Sequence, residues 1–181
     1  MLAAIAFLLW SYALARTSAG RIDDMPRLDS AMDATLLLTA VASRAGDRVD
    51  LIAGDRTIRA RVISGSDRTS LLHSMVTAMA PLEAVLLEAN WSRLAGAVNS
   101  LTRRRSLVVL LTPLEPAALE EGLLPVLPGL TQHHRVVVAS VADRSVLDTA
   151  SARDGAAQPY EAAAAERTVA LRARTTAALE R

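Results

Sequence analysis

Two short, uninterrupted apolar runs constrain the fold of this chain most: Ser106 to Thr112 (SLVVLLT) and Arg135 to Val141 (RVVVASV). A strand with one wet face alternates apolar and polar residues. A strand covered on both faces is apolar throughout, and that pattern belongs to parallel sheets packed between helices. Stretches of helical character precede each run. Strands alternating with helices predict a layered α/β domain with a mainly parallel sheet.

The composition suits that class. Hydrophobic residues make up 51% of the chain but aromatics only 3%, so Ala, Leu and Val supply the core, as buried parallel strands and Ala-rich helices require. A length of 181 residues fits one domain. The 20 basic and 19 acidic residues leave a formal net charge of +1, so bulk electrostatics predicts no nucleic-acid partner. Every basic residue is Arg, a uniformity that no physical role demands and that reads as genome composition. With no Cys, the chain has no disulfide, thiolate nucleophile, Cys-ligated zinc or iron–sulfur cluster. His73, His133 and His134 lack the spacing of a His-based zinc site.

The first fifteen residues, Met1 to Ala15 (MLAAIAFLLWSYALA), admit three readings. They are short for a membrane helix, which needs about 20 apolar residues. They resemble a signal peptide with Ala13-Leu14-Ala15 as its cleavage site, but carry no basic residue ahead of the apolar run. They also fit a fully buried first strand.

Further along, a helix is expected from Pro26, with Asp24 as N-cap, to Arg44, and Gly46 stands at its C′ position. Leu28, Ala31, Met32, Leu36, Ala40 and Val41 approximate its buried stripe, and Leu37 and Leu38 broaden it. Arg48 to Ala53 and Ile58 to Val62 alternate in polarity around a turn at Asp55-Arg56, which predicts an edge hairpin. Helices follow over Leu71 to Met79 and over Glu88 to Arg104, the second closed by Arg103 to Arg105 at the negative end of its dipole. Ala117 to Leu130 reads as a helix interrupted at Pro125 and Pro128. Residues 150–159 form a linker, and 160–181 a terminal helix with a weak apolar stripe.

Candidate chemistry is sparse. Asp50 and Asp55 are more simply a strand residue and a hairpin tip than a carboxylate pair. His133-His134 suits a helix C-terminus better than a metal or proton-transfer site. Arg103 to Arg105 reads as a solvated helix end. P-loop, Rossmann and nucleophile-elbow patterns are absent from the sequence, so the chain is not expected to be an enzyme.

Pro26 to Arg56 (PRLDSAMDATLLLTAVASRAGDRVDLIAGDR), Arg104 to Thr112, Leu119 to Leu130 and His134 to Asp143 (HRVVVASVAD) together resemble the domain-of-unknown-function 58 family, a bacterial branch of the von Willebrand factor A-like proteins. The resemblance covers roughly residues 16 to 175 and rests on the order and spacing of its segments. It implies a Rossmann-like three-layer sandwich over residues 1–149, with a mainly parallel sheet and an antiparallel edge hairpin. Met1 to Tyr12 then takes the place of the first central strand.

A-type domains often bind Mg²⁺ through an Asp-x-Ser-x-Ser loop, a Thr on a second loop and an Asp on a third, because Mg²⁺ demands hard, anionic oxygen. On this chain those positions fall on Ala13, Ala15 and Thr17, on Ala89 or Asn90, and on Pro113. Only Thr17, with Ser18 beside it, and Asn90 keep an oxygen. The resemblance therefore implies a degenerate site with no metal and no cofactor. Thr17, Ser18, Arg21 and Asn90 remain as partner-binding candidates. The implied role is a protein-interaction module of the cytoplasm that works with a MoxR-type AAA+ ATPase in assembly or maturation. The alternative is a membrane-associated envelope protein anchored by residues 1–15.

Overall fold

A computed structural model describes residues 3–7, 25–65, 68–83, 89–102, 104–112 and 119–140, with 166, 167, 169, 170, 173, 174, 176 and 177. The chain divides into two compact units. Met1–Pro113 and Ala117–Val141 form the first, and Leu114–Pro116 and Ala142–Arg181 the second. In the second unit the described residues are helical, and all but Val169 are exposed.

The first unit is mixed α/β. Three parallel strands run in the order β1 (Ala3–Phe7), β4 (Ser106–Leu111), β5 (Arg135–Ala139). Ala3 lies opposite Ser106 and Phe7 opposite Leu110, while Leu107 faces Arg135 and Leu111 faces Ala139. β4 is the middle strand, and its Val108 and Leu110 are wholly buried. The second apolar run behaves differently. Among the described residues β5 lies at the sheet edge, none of its residues is fully buried, and Val137 is 45% exposed. The sequence reading of β5 as a central strand is corrected accordingly.

β2 (Leu51–Gly54) and β3 (Ile58–Val62) form an antiparallel hairpin, with Leu51 opposite Val62 and a register shift after Ala53. β3 alternates as expected: Arg59 and Arg61 are exposed, Ala60 and Val62 buried. β2 does not, because all four of its residues are buried and Asp50 just before it is wholly inaccessible. A buried carboxylate needs donors. Asp50 Oδ1 accepts from the Ser64 backbone N–H at 2.7 Å and from Arg48 Nε at 3.3 Å. Asp50 thus clamps the start of β2 to the end of β3. Val49, Leu51, Ala53, Ala60 and Val62 join Leu71, Met75 and Met79 of α2 (Arg68–Met79) in the main apolar cluster.

α1 (Met25–Arg44) ends where the sequence predicts. Gly46 adopts φ +84°, its N–H donates to Ser43 O, and the Asp47 N–H reaches back to Ala42 O, a Schellman motif. The inward side of α1 is largely the expected one: Leu28 is buried and Ala31, Met32 and Leu36 pack against the apolar cluster, while Val41 lies outside it. The buried positions of α1 are Leu28, Thr35, Thr39 and Ser43, whereas Val41 and Leu37 are each 68% exposed. Thr35 and Ser43 satisfy their hydroxyls on the helix itself, through Ala31 O at 2.8 Å and Ala40 O at 3.1 Å. Such local bonding makes hydroxyls tolerable on a buried face.

α3 is shorter than its apolar pattern suggested, spanning Trp91–Leu101. Trp91, Leu94 and Val98 are buried on one face as expected. Thr102 is already extended (ψ 137°) and Arg104 N–H donates to its hydroxyl, so Arg104 and the exposed Arg105 stand beyond the helix and do not close it. The interrupted helix resolves into a π-helical segment, Leu119–Leu123, and a short α4, Leu127–Thr131, with Pro128 in its first turn. The π-helical segment has a packing reason for Gly122: a Cβ there would collide with the Trp91 indole and lie 2.9 Å from Nε1.

Two glycine substitutions test these local arguments. Gly46→Ala forces a side chain into positive φ and is expected to cost about 1 kcal/mol. Gly122→Ala overpacks against Trp91 and is expected to cost about 1–3 kcal/mol. Both should appear in urea titrations as a lower midpoint at unchanged slope.

Candidate functional site

In open α/β sheets ligands gather at the carboxyl ends of parallel strands, so the first question is which residues lie there. The buried His134, just before β5, places its Nε2 3.2 Å from Asn99 Oδ1 near the end of α3. The C-terminus of α3 therefore sits at the amino ends of the strands. Its N-terminus, about 16 Å away along the helix, sits at their carboxyl ends with Asn90.

Asn90 caps α3, its Oδ1 accepting the Arg93 N–H at 2.9 Å. The adjacent corner of the hairpin is tied to it, because the Asn90 N–H donates to Asp55 O at 3.1 Å. Asp55 is only 4% exposed. Its Oδ1 accepts the Thr57 N–H at 3.0 Å, and its own N–H donates to Thr57 O at the same distance. Arg59 Nε lies 2.7 Å from Oδ2, at ion-pair distance but off the axis of a hydrogen bond. A Cβ on Gly54 would strike the Thr57 carbonyl, so the corner closes only over glycine. The hairpin tip expected at Asp55 is thus an internal knot. Asp-x-Thr is an Asx-turn signature, and the sequence carried that signal at Asp55-Arg56-Thr57. Burial of the knot depended on α3, which only tertiary structure supplies.

On the far side of this edge, the Thr112 N–H continues the β4–β5 pairing by donating to Ala139 O at 3.0 Å. Ala13, Ala15, Thr17, Ser18, Arg21 and Pro113 lie outside the described residues. Of the proposed site positions the structure describes Ala89 and Asn90, and Asn90 does two structural jobs. The donors present do not fit Mg²⁺. Asn90 Oδ1 is committed to the helix cap, and both carboxylate oxygens of Asp55 are engaged by the turn and by Arg59. Among the described residues, His, Asp and Glu side chains do not gather in threes. Among the described residues the corner presents polar groups already engaged with one another.

His134 is a further buried titratable group at a strand end. Its backbone N–H donates to Leu130 O, beyond α4, where a protonated His would favour the helix dipole. The ring opposes that. With Nε2 donating to Asn99, Nδ1 is buried without a hydrogen-bond partner. Burial holds its pKa below the ordinary value, and the neighbouring His133 lowers it further. No protein-family model matches the chain, and no curated protein matches it significantly.

Removing the cap by Asn90→Ala should cost about 1 kcal/mol and loosen the hairpin corner, seen as faster amide exchange at Thr57. For His134, the unfolded chain takes up its proton near pH 6.5 and the folded protein only at lower pH. Stability is complete above about pH 6.5 and is lost as pH falls through the lowered folded value. A His134→Gln variant should show a flatter decline of melting temperature between about pH 7 and pH 5. An unchanged profile assigns the effect to other groups.

Proposed function

We propose that this chain is an A-type interaction module that binds a protein partner through its surface without a metal ion. The observation that carries the reading is the strand arrangement. The parallel set β1-β4-β5 has the β2–β3 hairpin on hand, with Cα atoms of β2 within 8 Å of β1. The hairpin and the parallel set are two separate sheets; an order β3-β2-β1-β4-β5 across that adjacency, with one antiparallel edge strand, is what the proposed Rossmann-like three-layer A-type domain would have. The engaged oxygens at Asp55 and Asn90 support the metal-free part.

The partner class follows from the resemblance described above: a MoxR-type AAA+ ATPase, in assembly or maturation of a third protein. The docking face is the edge at Asn90, and Thr17, Ser18 and Arg21 are the further contact candidates that the sequence offers. Anchoring through residues 1–15 gains no support, since Ala3–Phe7 is paired as a strand with β4, and among the described residues no helix is long and apolar enough to cross a membrane.

The test is calorimetric titration of the full chain with a nucleotide-free MoxR-type ATPase, in EDTA and in Mg²⁺. Affinity should agree within about twofold, because no carboxylate-based Mg²⁺ site contributes. Arg21→Glu should weaken binding about tenfold, as loss and reversal of an interface charge does. Binding abolished by EDTA and by Thr17→Ala would refute the metal-free reading, and no binding in either buffer would refute the partner class.

A further inference from the structure

α1 carries a second apolar patch, Leu37 and Val41, on its outer side. At about 100° per residue, Ser30, Asp33, Leu37, Val41 and Arg44 fall within about 40° of one line down the helix, and all five are exposed. The opposite face buries Leu28, Thr35, Thr39 and Ser43, and the Thr39 hydroxyl has no hydrogen-bond partner there. The inward face also packs Ala31, Met32 and Leu36 on the core, so Leu37 and Val41 form a separate exposed apolar pair of the kind that marks an interaction surface.

The charges along that face say what covers it. Asp29 and Asp33 lie before the apolar pair and Arg44 after it, all exposed. Among the described residues, none of the three enters a salt bridge. A line that runs acidic, apolar, basic is complementary to itself when reversed. With two copies of α1 antiparallel about a two-fold axis near Thr39, Leu37 of each copy meets Val41 of the other, and Asp33 comes opposite Arg44. The same patch serves both partners, as an isologous contact requires.

We propose that the outer face of α1 is a self-association surface through which two copies of this chain pair with their α1 helices antiparallel. The contact is one helix wide, smaller than the standard ~800 Å² per partner, so association is weak and concentration-dependent. It is independent of the carboxyl-edge partner.

Sedimentation velocity on the full chain tests this. The monomer should shift to a dimer as protein rises from about 10 to about 500 µM, the range a small interface allows. Leu37→Asp should raise the dissociation constant at least about tenfold. Asp33→Arg and Arg44→Asp should each weaken pairing about three- to tenfold, and the double swap should recover to within about threefold of the parent. Circular dichroism on each variant verifies that the fold is retained, as expected for exposed positions. A chain that stays monomeric throughout overturns the proposal. So does a dimer indifferent to Leu37→Asp, or one in which the double swap pairs no better than the single ones.

Discussion

Everything in the first unit hangs on β4. Its backbone is paired on both edges, to β1 from Ser106 to Leu110 and to β5 from Leu107 to Leu111, while Val108 and Leu110 are withdrawn from water. A strand buried on its faces has no solvent to satisfy its amides, so both neighbours are obligatory. Joining β1 to β4 spans most of the unit's sequence, so the contact that organises the sheet is also among its least local.

The rest of the unit shows how polar groups are carried inside. Asp50 and Asp55 stand at opposite ends of β2, each buried, each with a backbone N–H on Oδ1 and an Arg Nε near Oδ2. One seals the open end of the hairpin and the other its turn. Asp55 does more, since its carbonyl receives the first residue of the α3 cap. The hairpin corner and the helix start are thereby one object.

α1 shows the opposite economy. Thr35 and Ser43 bond to the helix's own carbonyls and ask little of the core, Thr39 stays unpartnered, and Leu37 and Val41 remain outside. Helical periodicity marks both faces of α1 as apolar enough to bury. Which one the core covers is decided by the neighbours.

Much of the architecture was legible in the sequence because it rests on local physics. Gly46 stops α1 because only glycine enters positive φ without strain, the alternation of Arg59 and Arg61 with Ala60 and Val62 marks a two-sided strand, and SLVVLLT can only be a covered one. The sequence by itself determined the α/β class, the hairpin and the core of α3. What tertiary structure alone decided is which apolar surface ends up covered. β5 carries the same apolar run as β4 yet sits at an edge among the described residues, Asp50 and Asp55 are buried despite their charge, and α1 leaves Leu37 and Val41 outside. Burial is a property of neighbours brought from far along the chain, and no window of sequence contains them.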